Sequence, residues 1–487
     1  ERIILVRTTH CSQDRDGDGN DDLFFTRFRG LDLVDQNSDG IPERHDVLTR
    51  TVWTWDNGTY EDVNIHLFAH ARTDADQDGN LERRVVLNRD QRMVDQGIGS
   101  VLTAYFSHSR FILRVDSNDD GTPERWMTID HTSWIWDPTE DGNADRHRDN
   151  LRAVVTRDTD SDGSVDVVRA LHQNTVQFDN DSNGVVELQW TWRAGVLKVD
   201  TDHDGDLDYT ARMRGWHQHW DWGMVEYHIH RFALTRIIDD DADGTPEWKQ
   251  RTTHMSNATD WDFDHHLEQR ESHTATLTWW DSNEDGHEEH VFRRVRETSY
   301  LDQHAHGWTS QTEETRSMEI WRDSNHNLHA KRVVVIDLSS WDNNSDGSPD
   351  TYDHLSRTWQ AADFDQDDFL ERRVFHRHHM AARDDNADGN VSFAVNSNIW
   401  HARNLSLSSN GNIEVLQEAY LSHRVFEWNI NPQGHAYRTN NTWIAFHIDH
   451  VTNTIQGIIV TVITIDSDQD GTPESQTITT GNTGNPP

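Results

Sequence analysis

The chain is written as one short unit repeated along its length. The pattern Asp-x-[Asp/Asn]-x-[Asp/Asn]-Gly-x-x-[Asp/Glu] occurs complete eleven times, starting at Asp14, Asp35, Asp74, Asp116, Asp158, Asp179, Asp200, Asp239, Asp281, Asp342 and Asp466. Near copies start at Asp137, Asp260, Asp363 and Asp384, with Thr139, His265, Asp368 and Ser392 at the altered places, and fainter traces start at Asp323 and Ser406. From Asp116 to Asp200 the starts recur every 21 residues, and Asp56, Asp95, Asp221 and Asp302 mark decayed copies in the longer gaps. With these filled in, about 23 units account for nearly the whole chain. A fixed period of this length means a repeat architecture, in which each unit leans on its neighbours instead of enclosing its own core.

The twelve residues between loops carry β-branched and aromatic residues in alternation, a strand signal. Glu187–Trp192, Arg193-Ala194-Gly195 and Val196–Val199 read as strand, turn and strand. Each unit is therefore expected to be a hairpin of two short strands, giving about 46 strands. A flat sheet of that number, at about 4.8 Å per strand, would be roughly 220 Å wide. Sheets twist, so the array is expected to coil as a β-ribbon or solenoid, with a closed shell or a β-propeller as alternatives. Gly recurs at the sixth loop position, where a tight loop demands positive φ. Pro42, Pro123, Pro246, Pro349 and Pro473 stand at the eighth, where no ladder donor is needed.

The loops have the chemistry of calcium sites. Calcium takes six to eight oxygen ligands, and side chains at positions 1, 3 and 5 of a curled loop converge on one point. Gly at 6 allows the turn, position 7 offers its carbonyl, and an acid at 9 closes the shell, where an EF-hand would place it at 12. The candidate ligand sets are Asp14, Asp16, Asp18, Asp22; Asp35, Asn37, Asp39, Glu43; Asp74, Asp76, Asp78, Glu82; and Asp116, Asn118, Asp120, Glu124. They continue with Asp158, Asp160, Asp162, Asp166; Asp179, Asp181, Asn183, Glu187; Asp200, Asp202, Asp204, Asp208; and Asp239, Asp241, Asp243, Glu247. The last three are Asp281, Asn283, Asp285, Glu289; Asp342, Asn344, Asp346, Asp350; and Asp466, Asp468, Asp470, Glu474. A single acidic turn is usually only solvated, but eleven in phase are not explained that way. About 11 to 15 calcium ions are expected, with folding and binding linked.

Charge and composition agree with this reading. The formal net charge is −42, from 86 acidic and 44 basic residues. That charge repels phosphate backbones and excludes a nucleic-acid binder. It is not a signature of disorder, because 21 Trp and 16 Phe accompany it. Eleven doubly charged ions would bring the net charge to −20, and fifteen to −12. No apolar run approaches the roughly 20 residues of a spanning helix. Cys11 is the only cysteine and reads as a small buried strand residue.

The segments Asp14–Phe25 and Asp466–Glu474 resemble the calcium loops of FG-GAP/VCBS and thrombospondin type 3 repeats. The FG-GAP resemblance implies ligand roles for Asp14, Asp16, Asp18 and Asp22, but that family's longer repeat means its propeller does not transfer. Trp53-Thr-Trp55-Asp56 with Gly58, Trp134-Ile-Trp136-Asp137 and Leu277-Thr-Trp-Trp280-Asp281 are similar to the YD repeats of Rhs-type shells. That resemblance implies a hairpin ribbon coiled around a hollow interior that holds a cargo. The chain departs from it in having Trp for Tyr, inserted acidic loops, and no visible self-cleavage or toxin segment.

Other residues invite weaker readings. His217/His219, His228/His230, His304/His306 and His376/His378 are pairs two apart, each sharing a strand face. A hairpin could set the first two pairs opposite one another for Zn, Cu or Ni, but partly exposed strand residues are the preferred reading. Trp55, Trp136, Trp280 and Trp341 precede a loop Asp, where stacking explains them, and binding of surface glycans is the alternative. No serine nucleophile motif, phosphate loop or zincin helix is present, so no enzymatic activity is expected.

Residues 1–403 form the expected calcium-loop array. Residues 404–480 carry degenerate repeats suited to a cap or junction, and residues 481–487 read as a tail. The chain starts in mid-unit, as a fragment of a longer array would; the alternative is that its first strand presents an open edge through which copies could join end to end. The chain is expected to be a calcium-stabilised structural repeat protein of the extracellular space or cell surface, in a fibre, stalk or adhesin. A lectin-like module or a cargo shell is the alternative.

Overall fold

Strands follow one another with no helix between them among the described residues. In the computed structural model every residue is described except 16, 58–59, 97–101, 222–224, 242, 262–266, 304–307, 324, 326, 343–348, 365–368, 386–390, 409–411, 432, 434 and 484–487. The chain divides into two units, Glu1–Gly244 and Thr245–Pro487. The first holds β1 (Arg2–Gln13), β2 (Leu23–Val34), β3 (Arg44–Asp56), β4 (Glu61–Thr73), β5 (Arg83–Asp95) and β6 (Ala104–Val115). It continues with β7 (Arg125–Trp136), β8 (Arg146–Arg157), β9 (Val167–Phe178), β10 (Leu188–Val199), β11 (Tyr209–Asp221) and β12 (Glu226–Ile238). The second holds β13 (Trp248–Asp260), β14 (Gln269–Trp280), β15 (His290–Gln303), β16 (Trp308–Arg322), β17 (Leu328–Asp342) and β18 (Thr351–Ala362). Then come β19 (Arg372–Arg383), β20 (Phe393–Leu407), β21 (Ile413–Ile430), β22 (Ala436–Asp449), β23 (Thr454–Ile465) and β24 (Ser475–Thr483), the last of which runs into the segment read as a tail.

The fold is all-β, and each unit is an open antiparallel ribbon. Within a unit every strand pairs with the next in sequence, from β1–β2 to β11–β12 and from β13–β14 to β23–β24. Among the described residues no pairing joins the first and last strands of a unit, and none of the breaks that would separate propeller blades interrupts the ladder. No described helix is long and apolar enough to cross a membrane.

The repeat unit differs from the expected hairpin in one respect that changes everything downstream. Each unit is one long strand and one loop, not two short strands. In β10 the ladder runs unbroken through Arg193, Ala194 and Gly195, which pair with Gln173, His172 and Leu171 on one side and Gly215, Arg214 and Met213 on the other. Arg-Ala-Gly lacks the Asn-Gly or Asp-Gly chemistry of a two-residue turn, and glycine inside a strand needs no reversal. Twelve residues at about 3.3 Å each give a strand of roughly 40 Å. Successive loops therefore fall on opposite rims of the sheet. In the first unit the loops after β1, β3, β5, β7, β9 and β11 share one rim, and those after β2, β4, β6, β8 and β10 share the other. Neighbours along a rim are two strands apart, roughly 10 Å.

Almost nothing apolar is deeply buried. Among the described residues the buried hydrophobic side chains are Val94 and Leu405. The accessible surface of 28258 Å² exceeds the roughly 22,000 Å² of two compact domains of half the mass each. The strands are held by cross-strand pairs, as where His290 stacks between Trp280 (centroids 4.4 Å apart) and Trp321 (5.1 Å) across β14, β15 and β16. Trp134 and Trp136 stack at 6.3 Å along β7. Cys11, expected to be buried, is exposed on β1, which pairs only with β2 among the described strands and leaves Ile3, Ile4, Leu5 and Val6 exposed.

The loop glycines are tested directly by substitution. Gly163 has φ +94 with nothing within 4 Å of an added Cβ, so Gly163→Ala pays only the left-handed backbone cost, about 1–2 kcal/mol. Gly215 lies in β11 with an ordinary φ and ordinary contacts, so Gly215→Ala is expected to be neutral or stabilising by up to about 1 kcal/mol. Hydrogen exchange in β8 and β9 for the first variant and in β11 for the second reads the difference. Equal effects would contradict it.

Candidate metal centres on the two rims

Burial in this protein is concentrated in the loops and falls on carboxylates. Asp22, Asp35, Asp116, Asp158, Asp166, Asp179, Asp281, Asp342, Asp350 and Asp466 are buried, as are Glu43 and Glu124. Asp200 and Asp208 are each 2% exposed. An ionised carboxylate is costly to desolvate unless it is hydrogen-bonded and neutralised. Backbone N–H groups do the first part.

One geometry recurs. The position-1 carboxylate accepts the glycine N–H of position 6 at 2.7–3.0 Å in the loops opening at Asp14, Asp35, Asp116, Asp137, Asp158, Asp179, Asp200, Asp281 and Asp466. The position-9 acid accepts the position-2 N–H. Arg15 donates to Asp22, Gln36 to Glu43, Ala75 to Glu82, Ser117 to Glu124, Thr159 to Asp166, Asn180 to Glu187, Thr201 to Asp208, Ser282 to Glu289 and Ser467 to Glu474. Position 5 accepts from the N–H of position 7, as Asp39 does from Ile41 and Asp120 from Thr122. In the decayed loop after β5, the hydroxyl of Thr103 takes the place of the acid and accepts the Gln96 N–H at 2.9 Å.

These bonds leave one oxygen of several carboxylates unused. Asp116 Oδ1 and Glu124 Oε1, at the two ends of one loop, are buried without a hydrogen-bond partner, and Asp116 is only 3% exposed. Asp281 Oδ1 with Glu289 Oε1, Asp74 Oδ1 with Glu82 Oε2, and Asp208 Oδ1 are in the same condition. Buried acceptors of this kind call for a donor or a cation. In the loop after β10, Asp200, Asp202, Asp204 and Asp208 bring one oxygen each within 4.8 Å of the others. Asp202 is held above the usual carboxylate range, by desolvation and then by repulsion from Asp204, Asp208 and Asp200, against a weaker backbone hydrogen bond. Asp74, Asp76 and Asp78 converge similarly. The donor set is all oxygen, as calcium prefers.

The remaining sequence-derived ligands divide by position. Asp16, Asn344 and Asp346 lie outside the described residues, as do His304 and His306. Asp239, Asp241 and Asp243 belong to the first unit and Glu247 to the second. Asn37, Asn118 and Asn283 direct their amides to Asp39, Asp120 and Asp285 of their own loops, and Asp18, Asp181, Asn183, Asp468 and Asp470 receive N–H bonds inside theirs.

The fourth loop position, a variable place in the sequence pattern, has a role the pattern does not reveal. Ser38, Gln77, Asp119, Glu140, Ser161, Ser182, His203, Glu284 and Gln469 all have positive φ there. That conformation aims several of them at the preceding loop on the same rim. Gln77 donates to Ile41 O (2.8 Å), Glu43 Oε1 (3.2 Å) and Asp39 Oδ1 (3.3 Å), which are positions 7, 9 and 5 of that loop. His203 reaches Asp166 at 3.1 Å and Asp160 at 3.8 Å, Ser182 donates to Asp145, and Thr103 donates to Glu140 at 3.1 Å. Its bond to Asp166 raises the His203 pKa. At Asp166 itself burial pushes the pKa up, but hydrogen bonds from Thr159 and His203 outweigh it and the pKa is lowered. Asp119 extends into the loop after β4, near Asp76 and Glu82. Desolvation, a hydrogen bond with Asp76 and repulsion from Asp76, Asp78 and Glu82 raise its pKa to about 6.

No family model matches the chain. No curated protein matches it either. Among solved structures the matches include the crystal structure of BauA, the ferric preacinetobactin receptor from Acinetobacter baumannii, at 8% identity and a TM-score of 0.17, covering 95% of this chain and 74% of that one. A similarity at that TM-score carries no argument about this chain.

A pH prediction follows from Asp119. In excess chelator the group is protonated in both states below its unfolded pKa of 3.8, and its charge opposes folding increasingly as pH rises to about 6. Asp119→Asn removes that opposition. The variant should melt with the parent at pH 3.5 and above it at pH 7, in the absence of divalent ions. A gap of the same size at both pH values would contradict the assignment.

Proposed function

We propose that this chain is a calcium-stabilised structural repeat protein that works in the extracellular space or at a cell surface, as part of a fibre, stalk or adhesin. The observation that carries the reading is the paired, buried and unpartnered oxygens of Asp116 and Glu124, and of Asp281 and Glu289, in loops that recur along both rims. Each loop would hold one ion through positions 1, 3, 5 and 9 and the carbonyl of position 7. The similarity of these loops to FG-GAP/VCBS and thrombospondin type 3 loops belongs to the same proposal. A sheet with so little apolar burial has few other sources of stability. Calcium at millimolar concentration outside cells matches the affinity range of weak extracellular modules.

Neighbouring sites on a rim would be coupled. Gln77 lies on three ligand atoms of the loop after β2, so its amide oxygen, turned inward, would complete that ion's shell from the next loop. Two ribbons stiffened along both rims would make a load-bearing element.

Thermal unfolding in excess chelator and in millimolar calcium tests the proposal. At 100 times the dissociation constant each site contributes about 2.7 kcal/mol, so several sites should raise the melting temperature by more than 10 °C. Magnesium at equal concentration should do much less, because it resists dehydration and demands a tighter octahedron. A melting temperature unchanged by chelator would overturn the proposal.

A further inference from the structure

The β11–β12 connection departs from the acidic loops on either side of it. Its flanking pair, Asp221 opposite Glu226, holds the place of positions 1 and 9, but only four residues separate them where a complete loop has seven. Beyond it two imidazole pairs face each other in register, His219 opposite His228 and His217 opposite His230. Residues two apart on a strand share a face, and directly opposed residues share it too, so the four rings form one cluster.

Glu226 supplies the carboxylate that the sequence pattern did not reveal. Its Oε1 lies 2.9 Å from His219 Nε2 and 2.9 Å from His228 Nε2, and the three ligand atoms lie within 4.8 Å of one another. The rings of His219 and His228 stack at 4.5 Å, and those of His217 and His228 lie 6.2 Å apart. The three side chains are partly exposed and open to a solvated ion.

We propose that His219, Glu226 and His228 form a transition-metal site, separate from the calcium loops, that takes Zn²⁺. Two imidazoles and one carboxylate are a ligand set zinc uses, with a fourth place left for water or His217. Bond lengths of about 2.0–2.1 Å in a tetrahedron put ligand atoms about 3.3 Å apart, so both 2.9 Å separations need open by only about 0.4 Å. The ion replaces the two Nε2 protons now directed at Glu226, which move to Nδ1 or leave, while both rings turn out of their stack. The pair His376 and His378 has the same spacing but faces Asn398 and Asn396, and it provides a control.

Isothermal titration of the full chain with Zn²⁺ in millimolar calcium, paired with the visible spectrum of a Co²⁺-substituted sample, tests the site. The expected result is one tight equivalent with a four-coordinate Co²⁺ spectrum. That equivalent should be lost in His219→Ala/His228→Ala, weakened at least tenfold in Glu226→Gln, and retained in His376→Ala/His378→Ala. Glu226→Gln keeps the side-chain shape, so its effect is readable even where the double variant disturbs the hairpin. Absence of a tight equivalent in the parent chain, its persistence in both site variants, or its loss in the control would overturn the proposal.

Discussion

The structure depends on how its buried carboxylates are kept. In most domains the interior is apolar and charges lie outside. Here the least exposed groups include Asp200, Asp208, Asp260 and Asp363, while Val94 and Leu405 are the buried hydrophobic side chains among the described residues. In the loops opening at Asp116 and Asp281, backbone N–H groups satisfy one oxygen of the position-1 carboxylate and leave the other buried without a partner, as is one oxygen of the closing Glu124 and Glu289. The loop can close only by gathering negative charge at its centre. The long strands supply the frame on which this loop geometry repeats.

Strand length then determines the pattern of sites. Because each unit contributes one strand, the direction reverses at every loop and the sites separate into two rows. Along a row, a side chain in left-handed conformation at position 4 meets the previous loop, as Gln77, Asp119, Ser182 and His203 do. In these cases a loop is finished by the one two strands later. Contacts of this kind tie nearest neighbours along a rim, the only kind of coupling a linear repeat without a common core provides.

Much of this was legible in the sequence. The nine-residue loop pattern located the carboxylates, and the alternation between loops located the strands. The strand count was not legible, because Arg193-Ala194-Gly195 and its counterparts look like a break when propensity is read locally, whereas ladders on both sides carry the strand through. The role of position 4 was hidden for a different reason. Gln, Asp, Glu, Ser and His share no side-chain chemistry there, only a backbone conformation, and a residue pattern does not record φ. Glu226 escaped notice because its partners are set by cross-strand register. The burial expected for Cys11 failed because β1 has a described neighbour on one side alone.

The central claim is that divalent ions occupy the loops on both rims. Anomalous diffraction from crystals grown in calcium, recorded at a long wavelength, locates such ions directly. The account predicts an anomalous peak within about 2.3–2.6 Å of the position 1, 3, 5 and 9 ligands of complete loops on both rims. Loops with no anomalous peak in millimolar calcium, or peaks confined to surface carboxylates outside the repeat pattern, would contradict it.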